Sequence, residues 1–135
     1  MKKVLGIVPL AMLLLSTAAP AGEISPALER DKVHIGSGVI CDTQDEVKRF
    51  VGLMASKDAG GALQAVNRET EKPLGCGMAT IAFRAGKDHG EMRNGKGAFK
   101  IVEIEVIAGT ANGAWQMIVP RRTQFTAIPL PGVEI

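Results

Sequence analysis

The only two cysteines of the chain, Cys41 and Cys76, stand 35 positions apart and bracket two amphipathic helical patterns. A bond between them would clip a helical unit onto whatever sheet the flanking segments form. That constrains the fold more than any other feature of the sequence. Upstream, Val39-Ile40-Cys41 reads as a short buried strand. Downstream, Cys76 leads into a strand with Ala79, Ile81 and Phe83 on one face. Between them, Thr43 with Glu46 three positions on forms a capping box, and Asp45 and Glu46 occupy the acid-favouring first turn. Val47, Phe50, Val51 and Met54 then recur at helical spacing, ending near Ser56-Lys57. Asp58 caps a second helix carrying Ala59, Ala62, Leu63 and Val66. Pro73 and Gly75 prevent its continuation.

Whether the cysteines pair depends on the compartment, and the N-terminus speaks to that. Lys2 and Lys3 precede an apolar run, and Ala19-Pro20-Ala21 fits the small-x-small cleavage pattern. Residues 1–21 are read as a secretory signal peptide, with Gly22 as the new N-terminus. The apolar run is shorter than the roughly 20 residues a spanning helix needs. A periplasmic or secreted protein with an even cysteine count is expected to hold Cys41–Cys76 as a structural disulfide. The Cys-x-x-Cys spacing of a redox pair is missing.

Cleavage also alters the charge. The chain has 16 Lys+Arg against 14 Asp+Glu; without Lys2 and Lys3 the balance is neutral. The basic character belongs to the export signal, so no nucleic-acid partner is expected. Of the 135 residues 114 remain, enough for one core. Residues 22–31 are read as an irregular lead-in and residues 32–135 as a single domain.

Lys32-Val33-His34-Ile35 alternates as a short strand, and Gly36-Ser37-Gly38 permits a turn or a close backbone approach before Val39. Residues 84–97 are polar and glycine-rich, read as a loop in which a short part around Glu91 to Arg93 pairs, with a turn at Asn94-Gly95. Residues 98–107 form a strand whose apolar residues switch parity: Phe99 and Ile101, then Val102, Ile104 and Val106. The switch predicts a bulge or a bend between two sheet faces. Asn112-Gly113 marks another hairpin. A strand with Trp115, Met117 and Val119 on one face ends at Pro120, and residues 123–128 form the last strand. The predicted fold is α+β: a small antiparallel sheet or partly open SH3-like barrel, with a two-helix insertion after the first strand.

No catalytic constellation stands out. Gly36-Ser37-Gly38 near His34 lacks the nucleophile elbow and an acid partner. Cys41, Cys76, His34 and His89 do not show recognised metal-ligand spacing, so no metal and no cofactor are expected. Glu103 and Glu105 read as a solvated strand face. The leading binding surface is the basic loop carrying Arg84, Lys87, His89, Arg93, Lys96 and Lys100, which Arg121-Arg122 would extend if the sheet brought them close.

The runs Val39-Ile40-Cys41-Asp42-Thr43-Gln44-Asp45-Glu46-Val47, Ala65-Val66-Asn67 and Ala79-Thr80-Ile81-Ala82-Phe83 resemble small exported proteins of Gram-negative bacteria. Phe99-Lys100-Ile101-Val102-Glu103 and Gln124-Phe125-Thr126 continue the likeness. The resemblance implies export and a single domain, and carries no activity. The expected function is a small non-enzymatic module that binds a protein, peptide or envelope component, without stable membrane insertion. A secreted inhibitor presenting residues 84–97, or a small enzyme or enzyme accessory, are the alternatives.

Overall fold

The computed structural model describes Leu28 and residues 31–131. Residues 1–21, read as a signal peptide, and nearly all of residues 22–31, read as a lead-in, lie outside the described residues, as do residues 132–135. The chain runs β1 (Val33–Cys41), α1 (Gln44–Leu53), α2 (Ala59–Thr70), β2 (Cys76–Asn94), β3 (Gly97–Ala111) and β4 (Ala114–Pro129). The strands are antiparallel neighbours in chain order. The sheet curls until Cys41 of β1 meets Phe125 of β4, which closes the ring. This is the α+β arrangement expected, with both helices inserted after the first strand.

Burial on both faces of the sheet explains its sequence. Alternate residues of all four strands point into the ring, where Ile40, Ile81, Phe83, Val102, Ile104, Val106 and Ile128 form one core, joined by Leu28 and Ile118. The opposite parity points out. There Val39, Cys41, Cys76, Ile101 and Ala127 are covered by Val47, Phe50 and Val51 of α1 and by Ala62 and Val66 of α2. The parity switch in β3 follows from these two layers: Phe99 and Ile101 face the helices, and Val102, Ile104 and Val106 face the interior. Ile101 and Val102 stay in register with Ala127 and Thr126. Against β4 the irregularity falls later, between Val106 and Ala108, whereas against β2 the register shifts on either side of Val102.

Three segments differ from the sequence reading. Gly36-Ser37-Gly38 is not a turn: β1 runs through it in register with Ile81, Thr80 and Ala79, and the Ser37 and Thr80 hydroxyls share a 2.6 Å hydrogen bond. Residues 84–94 are not a loop. They are the second half of β2, and their polar, glycine-containing sequence is accommodated by register shifts at Ala85/Asp88 and Asp88/Glu91. At Gly86 a side chain would meet the Glu103 carbonyl at 3.1 Å, so glycine allows the strands to close up there. Finally, β4 does not end at Pro120. The proline lies where β4 slips against β3, between the Ala108–Met117 and Val106–Arg122 pairs, and such an irregular position needs no ladder donor.

The helical insertion is fastened at both ends. The Glu46 amide donates to Thr43 Oγ1 at 3.1 Å, and the Thr43 amide donates to Glu46 Oε1 at 3.0 Å, completing the predicted capping box. Glu46 is 4% exposed, and its other oxygen lies 3.0 Å from Lys72 Nζ. The contact is a close ion pair, without the alignment of a hydrogen bond. Asp58 caps α2 by accepting the Gly61 amide at 2.7 Å. Glu71, in the left-handed region at φ 59°, ends it. Arg49 of α1 grips Glu69 of α2 with two hydrogen bonds of 2.9 and 3.0 Å, which raises the guanidinium pKa and lowers that of the carboxyl. The Asn67 side chain donates to the Cys76 carbonyl and accepts from its amide, tying α2 to the start of β2. Cys41 and Cys76 face each other across β1 and β2 and are disulfide-bonded, at 0% and 3% exposure. A bond this deeply enclosed fits an oxidising, extracytoplasmic environment.

The ring closure rests on few groups. Beside the Cys41–Phe125 pair, the fully buried Thr126 hydroxyl donates to the Val39 carbonyl at 2.6 Å. Thr126→Val keeps the volume and removes the donor to that carbonyl. The expected cost is about 1–2 kcal/mol, read as a lower urea midpoint with an unchanged slope.

Candidate functional site

β1 and β4 part company above this closure, and an apolar cleft opens in the gap beneath the helices. Its strand walls are Ser37, Gly38 and Val39 of β1, Met78 of β2, Phe99 of β3, and Ala127 and Pro129 of β4. Phe50 and Met54 of α1 and Ala59 of α2 form the roof. The volume is about 410 Å³, within the range of small-ligand sites. Ser37 is its one polar side chain, and that hydroxyl is already bonded to Thr80. No titratable side chain lines the cleft. A second depression of about 360 Å³ shares Ser37, Gly38 and Met78 and continues along the outer sheet face to Thr80 and Thr110.

Local sequence accounts for the roof. The α1 stripe has four apolar positions, and Val47 and Val51 spend themselves entirely on the core. Phe50 and Met54 lie on the side facing the seam. Ala59 opens α2 with a side chain too small to fill the space in front of it. The two glycines that follow keep this turn slim.

The basic residues singled out in the sequence do not gather into one patch. They are spread along the β2–β3 hairpin, and three of the six, Arg84, His89 and Lys100, meet acids. Arg84 Nη1 lies 3.8 Å from Glu105, while its Nε donates to the Asp31 carbonyl. Lys100 Nζ is 3.4 Å from Asp88. His89 Nε2 is 3.2 Å from Glu103 Oε1, and its ring meets Phe125 edge-on at 5.6 Å. Lys96 sits in the hairpin turn and donates to the Lys57 carbonyl. Lys87 and Arg93 are exposed. Arg121 does join this surface, 3.7 Å from the same Glu105 oxygen that Arg84 approaches, whereas Arg122 turns to Asp42 at 3.5 Å. Asp88 also accepts the Gly90 amide at 2.7 Å. This bond, and then Lys100, holds its carboxyl below the ordinary value of 3.8. The small stabilisation this represents is present above that ordinary value and is lost as pH falls through the lowered one. A polar hollow of about 180 Å³ lies among Asp31, Arg84, Glu103, Glu105 and Thr123.

His34 and His89 are on opposite faces of the sheet. His34 packs on Phe83 of the interior core at 5.8 Å between ring centroids. Cys41 and Cys76 are committed to the disulfide. Among the described residues no three His, Cys, Asp or Glu side chains group as metal ligands.

The chain matches no family model, no curated protein and no solved structure.

Proposed function

We propose that the protein is an exported, non-enzymatic binding module whose apolar cleft receives an uncharged, apolar group of a protein, peptide or envelope component. One observation carries this reading: a cleft of about 410 Å³ lined by aliphatic, aromatic and thioether side chains, with no titratable group directed into it. Acid–base or nucleophilic chemistry needs such groups within hydrogen-bond reach of the substrate. Apolar surfaces of this kind bind by removing water from both partners. Met54 and Met78 suit such a site, because unbranched thioethers adapt to different occupants. The inhibitor alternative loses its loop, since residues 84–94 are a strand. The buried disulfide and the signal-peptide pattern read in residues 1–21 support a periplasmic or secreted location.

Ala59→Trp tests the cleft directly. The indole would occupy space that is empty, so Tm should stay within a few degrees of the parent. Emission of the neutral apolar dye Nile red, enhanced by the parent protein, should fall to the level of free dye. Equal enhancement by the two proteins would reject the cleft as the binding site.

A further inference from the structure

The seam that closes the ring leaves a strand edge beside it. β1 meets β2 along its whole length, from Val33 opposite Arg84 to Cys41 opposite Cys76. Among the described residues it meets β4 only at Cys41, opposite Phe125. In an antiparallel ladder, opposed residues alternate between hydrogen-bonded pairs and closer, non-bonded pairs. For β1 the phase is fixed by three contacts. The Cα atoms of Cys41 and Cys76 are 4.1 Å apart, close to the spacing of a non-bonded pair. Ser37 and Thr80, at the same parity, stand near enough for their hydroxyls to bond at 2.6 Å. The Val39 carbonyl reaches away from β2 and accepts from Thr126 of β4. The backbone N–H and C=O groups of Ile35, Ser37 and Val39 therefore point to the open side, while those of Gly36, Gly38 and Ile40 point to β2.

β4 does not supply the missing partner. The Leu130 amide donates to the Ala98 carbonyl at 3.0 Å, so even positions at this end of the strand bond to β3 and odd positions face β1. Counted from the Cys41–Phe125 pair, Pro129 is the position that would oppose Ser37, and it has no N–H to give. The edge is accessible: Ile35 is 56% exposed, and Ser37 and Gly38 are half-buried. The apolar cleft runs beside it, with Ser37, Gly38 and Val39 as one wall and Ala127 and Pro129 as another.

An open strand edge is a template for another backbone, and a pocket next to the edge selects a side chain. A hydrocarbon chain would fill the cleft and leave the edge groups unpaired. An extended peptide satisfies both. Opposed residues of paired strands share a face, so the residue opposite Ser37 directs its side chain into the cleft. Its neighbours, opposite Gly36 and Gly38, meet no β1 side chain. We propose that the partner is an extended peptide segment, which adds as a strand to β1 along Ile35–Val39 and places one uncharged apolar side chain in the cleft. This rests on the reading of the cleft as the binding site and names the class of its partner.

The probe is the capped peptide Thr-Thr-Leu-Thr-Thr, uncharged and long enough to span Ile35 to Val39. At millimolar concentration it should shift the amide protons of Ile35, Ser37 and Val39 downfield and slow their exchange. Those of Gly36, Gly38 and Ile40 should change little, and the leucine methyls should contact Met54 and Met78. N-methylation of the peptide should lower affinity about tenfold or more at alternate residues, where it removes a bonding N–H, and within about twofold at the residues between. Leucine contacts with unmoved β1 amides, or N-methylation that is neutral at every position, would overturn strand addition and leave the cleft standing as an apolar site. No shift at any of these groups would overturn it too, and Nile red with Ala59→Trp then decides the cleft on its own. Slow exchange at Ile35 and Ser37 in the peptide-free protein overturns the proposal as well. It assigns the edge to a second copy where it grows with protein concentration, and to residues of this chain outside the described ones where it does not.

Discussion

Replacing both cysteines, Cys41→Ala with Cys76→Ala, should cost about 2–4 kcal/mol and lower Tm by on the order of 15 °C. The chain-entropy model gives about 4 kcal/mol for a loop of 35 residues, and native geometry usually returns less. The bond matters beyond loop entropy because of where it lies. Cys41 is the last residue of β1 and the one that pairs with β4; Cys76 is the first of β2. The bond therefore sets the gap between the point where the chain leaves the sheet for α1 and the point where it returns. The same junction holds the Asp42 amide on the Gly75 carbonyl at 2.9 Å and Glu46 against Gly75. Loosening it should let the helical pair lift from the outer core, and Nile red binding should weaken at temperatures where the parent still binds. Scanning calorimetry with and without reductant checks the first effect. A Tm shift of only a degree or two would show that the sheet holds the helices unaided.

Phe83→Ala should cost about 3–5 kcal/mol, the largest effect of any single substitution in the interior. Phe83 is fully buried, is the largest side chain of the inner core, and receives the ring of His34. A four-stranded ring is narrow, and few side chains are near enough to fill the volume a phenyl group leaves. Destabilisation should therefore reach the upper part of that range. Since β2 carries Phe83 inward and Met78 outward, the cleft should survive wherever the variant remains folded. Chemical denaturation measures the first claim and dye binding in the folded variant the second. A loss below about 1 kcal/mol would mean that the interior collapses around the gap.

Much of the fold is legible in the sequence where short-range chemistry decides. Thr43 with Glu46, Asp58 with Gly61, and the Asn112-Gly113 turn all act within four residues and appear where expected, while the turn expected at Asn94-Gly95 falls one residue later, at Gly95-Lys96, with Asn94 paired to Gly97. Strand lengths are not legible that way. Glycines at 36, 38, 86 and 90, and Pro120, are local signals for breaks. In the structure the neighbouring strands absorb them as close approaches and register shifts, which only pairing can reveal. The basic residues from Arg84 to Lys100 look like a free surface until strand pairing sets Glu105 beside Arg84 and brings Asp88 and Glu103 to Lys100 and His89. The cleft is the least legible feature of all. Phe50, Met54 and Phe99 carry the ordinary periodicity of core residues, and nothing in that periodicity shows that β1 and β4 diverge beneath them.

Methyl NMR of the four methionines that follow residue 21 separates the surfaces in one experiment. Met54 and Met78 line the cleft, Met92 packs against the outer core, and Met117 is exposed on β4. Monomeric octyl glucoside, an uncharged single-chain amphiphile, serves as the probe. Binding in the cleft predicts saturable shifts at Met54 and Met78, little change at Met117, and loss of both shifts in Ala59→Trp. Shifts that leave Met54 and Met78 unmoved, or that persist undiminished in Ala59→Trp, would contradict the cleft as the site on which this protein's function rests.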